Sequence, residues 1–259
     1  MSKTVRIIII SIAATLLTGG ISAAYIAGIS CRKPVRCTDL NVVIADSSAN
    51  RFVSKDDVKK YLDKEYPGYI GRQIDSIDLA RIEDIIDGRS AVHKSQAYTT
   101  RDGLLNIVVT QRTPIVRFQK EDGGFYADAE GFLFPLQNSY SSRVQIVDGD
   151  IPLKANSGYK GELADEKEKK WLHDVLEVIN YMEKSKVWKD KIVQITVGDG
   201  GELTLVPRKG NERFHFGQPV QIEEKFEKME MYYSHILPEK GSGAYTSVNV
   251  EFEGQIVCK

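Results

Sequence analysis

Two hydrophobic periods alternate along this chain. Asp39-Leu-Asn-Val-Val-Ile-Ala45 places Leu40, Val42 and Ile44 on one side, the period of a half-buried strand. Ser54-Lys-Asp-Asp57 then reads as a variant capping box. The Ser54 hydroxyl can accept an orphan backbone N–H, and Asp57 sets negative charge at the positive end of the helix dipole. Val58, Tyr61 and Leu62 continue as a helical stripe that Pro67-Gly68 ends. A second helix is expected from Asp75 or Ser76, with Ile77, Leu79, Ile82, Ile85 and Ile86 on a broad apolar face and Asp87-Gly88 as its C-cap. Val92–Thr100 and Leu104–Gln111 read as strands around the turn Arg101-Asp-Gly103, with Leu105, Ile107 and Val109 alternating. Strand, helix, helix, strand, strand makes one compact unit over 38–112, and Thr113-Pro114 breaks the pattern there.

The region 113–259 is richer in strands. Ile115–Gln119 is extended, Phe125–Phe132 resembles a hairpin of two short strands, and Val144–Val147 is a buried-type strand ending at Asp148-Gly149. Asp165–Lys184 is helical, with Trp171, Leu172, Val175, Leu176, Val178, Ile179 and Met182 inward. Lys191–Val197 and Glu202–Val206 flank a Gly198–Gly201 turn, and Phe214–Phe216 is a short strand. Pro219 is expected to start a helix whose apolar positions include Val220, Ile222, Phe226, Met229, Met231, Tyr232 and Ile236. A single last strand is expected over Tyr245–Val257.

The N-terminus differs in kind. Ile7 to Ile29 carries no charge, and a helix of that length would span roughly 35 Å, enough for a bilayer core of about 30 Å. Lys3 and Arg6 precede it, and Arg32, Lys33 and Arg36 follow it. This predicts a cytoplasmic tail (1–6), a transmembrane helix (7–29), a juxtamembrane linker (30–37) and an exported bulk. A cleaved signal peptide competes with this reading, but its apolar region is usually 7–15 residues. A lipoprotein signal would use Cys31, yet Gly28-Ile29-Ser30 lacks the usual Leu at the third position back.

Composition narrows the function classes. The 259 residues carry 35 Lys+Arg against 36 Asp+Glu, a formal charge of −1 that argues against a general polyanion or nucleic-acid binder. Cys31, Cys37 and Cys258 give neither a disulfide framework nor zinc spacing. His93, His173, His215 and His235 are scattered and form neither H-E-x-x-H nor a metal pair at helical spacing. No P-loop, G-x-S-x-G or G-x-G-x-x-G is present, so no cofactor, metal or catalytic residue is predicted. Asp128 and Glu130 would share one strand face, where a carboxylate pair could serve acid/base chemistry, but the reading taken is a solvated hairpin tip. Gln111-Arg112 suits either a docking site or the polar end of a strand.

An ordered set of motifs resembles the bacterial cell-division family FtsQ/DivIB. Leu105-x-Ile107-x-Val109-x-Gln111-Arg112-x-Pro114 is similar to the segment in which that family's POTRA domain enters its β-domain. Phe52–Val58 resembles the start of the POTRA helix. Tyr126-Ala-Asp128-Ala-Glu-Gly131 with Phe134-Pro135-Leu136 resembles Y-[IV]-D-x-x-G-x-x-x-P-L, Arg143–Gly149 a following strand, and Tyr245–Val257 the family's closing strand. Two positions depart from that last pattern: Asn249 stands where the family usually has Asp, and Glu251 where it usually has Arg.

The resemblance implies an α+β fold: the membrane anchor, a POTRA domain (38–112) and a mixed β-domain with two helices (113–259). It implies a non-enzymatic divisome scaffold in the cytoplasmic (inner) membrane, N-terminus inside, bulk in the periplasm or outside the cell, enriched at the septum. It would hold FtsB/FtsL-like proteins through the terminal-strand edge, with Asn249, Glu251, Phe252, Glu253, Gly254 and Gln255 as partner-binding residues, and other division proteins through the POTRA domain. An exposed strand edge offers unpaired N–H and C=O groups to an added strand. Alternation puts Val248, Val250, Phe252 and Gly254 on one face, which suits core for Phe252, whereas the resemblance places Phe252 at an aromatic partner-contact position of the family. Two other classes compete: a different POTRA-bearing transport or assembly component, and an anchored envelope hydrolase.

Overall fold

The computed structural model describes residues 15–22, 34–46, 48 and 51–259. Residues 15–22 form a helix, α1, whose Leu16, Leu17 and Ile21 are exposed. The rest of the predicted anchor, and Cys31 with it, lies outside the described residues. Among the described residues no helix is long and apolar enough to cross a membrane.

The first unit is a three-stranded sheet backed by two helices. β1 (Asp39–Ile44) runs parallel to β3 (Leu104–Gln111), which pairs antiparallel with β2 (Val92–Thr99), in the order β1-β3-β2. α2 (Lys55–Glu65) opens with the expected capping box: the Ser54 hydroxyl accepts from the Asp57 N–H, and the Asp57 carboxylate accepts from the Ser54 N–H. α3 (Leu79–Asp87) starts later than expected. A 3₁₀ turn at Ile74–Ser76 comes first, Ile77 is extended, and the Asp78 side chain caps the helix by accepting from the Arg81 N–H. Val58, Leu62, Ile82 and Ile86 meet Leu105, Ile107 and Val109 in one fully buried core.

The second unit is a nine-stranded mixed sheet. Its strands are β4 (Pro114–Phe118), β5 (Phe125–Asp128), β6 (Leu133–Pro135), β7 (Gln145–Gly149), β8 (Ile192–Val197), β9 (Leu203–Pro207), β10 (Arg213–Gly217), β11 (Ser247–Asn249) and β12 (Val257–Cys258). They lie in the order β12-β11-β10-β9-β8-β7-β4-β5-β6. α4 (Glu166–Lys184) and α5 (Ile222–Met231) pack Leu172, Val175, Ile179, Phe226 and Met229 against Val116, Val147, Ile195, Leu205 and Phe216. Together the two units give an α+β fold.

Two expectations for the region after β10 fail. Gln221 adopts a left-handed conformation, φ 54°, so the helix begins at Ile222 and not at Pro219; Val220 and Met231 point outward. Beyond α5 the helix widens into a π turn, Tyr232–Ile236, before the short α6 (Leu237–Lys240). Pro238 has no N–H to donate back, which favours such a break.

The units share a core. On β5, Phe125 and Ala127 face α4's layer, while Tyr126 faces the other way. Tyr126, Phe134 and Tyr140 surround Phe52 of the first unit, with ring centroids 5.6, 5.9 and 4.9 Å away in edge-on geometry.

Candidate functional site

The chain's last residues form a hairpin where one strand was expected. β11 pairs parallel with β10 through Arg213↔Ser247, Phe214↔Val248 and His215↔Asn249. β12 then folds back antiparallel onto β11, Val248↔Cys258 and Asn249↔Val257. Residues 250–256 make the turn, with Gly254 at φ 64°. The outer edge of β11 is therefore covered, and β12 is the edge strand.

This changes where the predicted partner residues stand. Val248 and Val250 are buried, as alternation implies. Phe252 is not: it is 52% exposed, because pairing has stopped and the chain is turning. Asn249 is half-buried, and its Oδ1 accepts from the Glu251 N–H at 2.8 Å. The Glu251 side chain lies against Gly217, where an added Cβ would sit 2.6 Å from it. Glu253, Gly254 and Gln255 are exposed.

Three side chains of α5 and its start hold this end of the sheet, and the sequence pattern did not mark them as functional. Lys228 is buried, and its Nζ donates to Phe252 O at 2.8 Å and pairs with Glu224 Oε1 at 3.1 Å. Glu224 Oε1 also accepts from the Gly254 N–H at 3.4 Å. Lys225 Nζ donates to Gln218 O at 2.7 Å and lies 5.0 Å over the Phe216 ring; burial pushes its pKa down. The one signal available was two lysines set among the apolar positions Ile222, Phe226 and Met229.

The remaining motif residues gather at the junction. Arg112 Nη1 donates to Asp128 Oδ2 at 2.7 Å, and its guanidinium lies over the Phe132 ring. Asp128 Oδ1 accepts from the N–H groups of Glu130 and Phe132. Asp128 is thus buried, 2% exposed, and not a solvated tip; only Glu130 is solvated, so the two carboxylates do not form a pair. The reason is that Arg112 and two backbone N–H groups replace water around it. Gln111 is buried and accepts from the Val53 N–H at 2.7 Å, inside the first unit. Pro114 sits opposite Asp128 and Pro135 opposite Phe125, with Gly131 in the turn between β5 and β6. Lys160, from the loop before α4, reaches across to Gly88 O at 2.7 Å, beyond the C-terminus of α3. Phe52, Tyr140 and Lys160 were missed because nothing local in the sequence marks a contact between units.

Candidate chemistry elsewhere is slight. His173, Asp174 and Glu177 bring ligand atoms within 4.8 Å of one another on α4, a group at helical spacing where the sequence reading expected none. His173 and Glu177 face solvent, and the half-buried Asp174 already takes Lys170 at 2.6 Å.

Two family models match the chain. One, described as POTRA-like domain, matches residues 35–110. The other, described as FtsQ/DivIB, C-terminal related, matches residues 113–259. No curated protein matches the chain. The second match takes in more than half of the sequence, including the terminal hairpin and the β5 side of the junction, so the chain belongs to the FtsQ/DivIB family of cell-division proteins.

Proposed function

We propose that this protein is a non-enzymatic scaffold of the division machinery, anchored through its N-terminal apolar run and binding FtsB/FtsL-like partners through the terminal hairpin of its β-domain. The observation that carries the reading is Phe252: a large ring more than half exposed on the turn that leads into β12, the edge strand at this end of the sheet. An edge strand offers main-chain hydrogen bonds, and an exposed aromatic beside it offers an anchor. Asn249, Glu251, Glu253, Gly254 and Gln255 complete the surface. Membership in a division family whose members are generally not enzymes supports the same reading.

The test is depletion in the source cell with septal imaging, followed by complementation. Filamentation on depletion, rescued by the wild-type chain but not by Phe252→Ala at equal protein level, is the expected result. Normal division on depletion would overturn the scaffold role, and full rescue by Phe252→Ala would overturn the site.

A further inference from the structure

We infer that Lys228 and Glu224 are positioning residues, through which α5 sets the Phe252 turn in its binding conformation before a partner arrives. The inference rests on the reading of this turn as a partner site.

The turn has little of its own to hold it. Its backbone bonds begin with the Val250 N–H to His215 O, the last contact with β10. Beyond that, the Glu251 N–H goes to Asn249 and the Gln255 N–H to Phe252 O at 3.3 Å, both within the segment. Among the described residues, the backbone of 251–255 is tied to another element by two side chains, Lys228 through Phe252 O and Glu224 through the Gly254 N–H. Both come from one helix, one turn apart, and they also pair with each other.

Lys228 is 5% exposed. An ammonium so far from water is stable only where carbonyl and carboxylate oxygens replace its hydration. Phe252 O and Glu224 Oε1 do this, so the turn and the lysine fix each other. A loop free to adopt many conformations loses that freedom on binding and binds more weakly for it; a preset turn has already lost it. The exposed glycine at position 254, φ 64°, would otherwise let the segment sample widely.

The test uses the full chain in detergent micelles with two variants. Lys228→Met keeps the buried stem and removes the ammonium. Glu224→Ala removes a half-exposed carboxylate and leaves the Lys228 ammonium with Phe252 O, and unchanged exchange of the β8 and β9 amides shows that the fold is kept. The probe is a synthetic peptide from the extracytoplasmic end of the FtsB-like protein of the same cell. Both variants are expected to exchange the Gly254 and Gln255 amides about tenfold faster, with other amides of β10 and β11 unchanged. The peptide's association rate is expected to fall by about tenfold, and its dissociation rate to rise by less than that. Unchanged exchange in both variants would overturn the clamp. Faster exchange with unchanged association would overturn its role in binding. Phe252→Ala serves as the control: capture that survives it sinks the partner site itself, whereas the exchange result judges the clamp independently.

Discussion

Arg112 Nη1 stands 2.7 Å from Asp128 Oδ2, so the residue that follows the last POTRA strand is bound to the buried end of β5. Both partners are largely shielded from water, and the Arg112 plane is stacked on Phe132. Replacing Asp128 by Ala leaves a buried guanidinium without its counter-charge, a loss of about 3–5 kcal/mol. Urea unfolding of the variant should show it. The double variant with Arg112→Leu should lose less than the two single variants together, because the stranded charge is gone.

Phe52 contributes the other half of the junction. Three aromatic rings meet it edge-on, and all come from 113–259. Phe52→Ala should cost about 3–5 kcal/mol. It should also loosen the two units from each other, visible as new protease cleavage near Arg112-Thr113. Cleavage no faster than in the wild type would mean the aromatic cluster does not couple the units.

The capping box gives a pH prediction. The Ser54 hydroxyl, the largest influence, holds the Asp57 carboxyl below its ordinary value, against the opposing effect of partial burial. A carboxylate with a depressed folded pKa adds stability that is present above its unfolded pKa near 3.8 and lost as pH falls through the folded value. Ser54→Ala should therefore cost about 0.5–2 kcal/mol at neutral pH. The difference from wild type should shrink as the pH is lowered below about 4, measured by denaturant midpoints across that range.

Tyr69 gives the opposite sign. Burial first, then its hydrogen bond to Asp63, push the phenol up to about 12. The neutral phenol is the form the fold prefers, so this contribution is complete below the ordinary value of 10.0 and is lost as pH rises toward about 12. Asp63→Asn should lower the Tyr69 midpoint, read as phenolate absorbance against a Tyr69→Phe reference. An unmoved midpoint would assign the shift to burial alone.

Where cause and effect lie close in sequence, the fold was legible. Ser54 and Asp57 announce their helix because both halves of the box sit within one turn. Leu105, Ile107 and Val109 announce β3 because a half-buried strand alternates. The junction was not legible in the same way. Tyr126 and Asp128 look like residues of a solvated hairpin until Phe52 and Arg112, far away in sequence, cover them. The terminal turn failed for the same reason. Alternation extends naturally from Val248 through Phe252, and what ends it is a hydrogen bond from Lys228, 24 residues earlier.

Gly217 offers a way to separate backbone strain from side-chain crowding beside the terminal turn. Its φ is +71°, a conformation that costs an L residue about 1–2 kcal/mol whatever surrounds it. An added Cβ would also meet the Glu251 side chain at 2.6 Å. That side chain is flexible and half-exposed, so it can swing away, and the backbone term should dominate the loss of stability. Gly217→Ala should thus unfold about 1–2 kcal/mol more easily. Adding Glu251→Ala removes the crowding but not the strain. If the double variant stays within about 0.5 kcal/mol of Gly217→Ala, the backbone accounts for the loss. Recovery to near the stability of Glu251→Ala would show instead that the glycine is needed to make room for Glu251 beside the Phe252 turn.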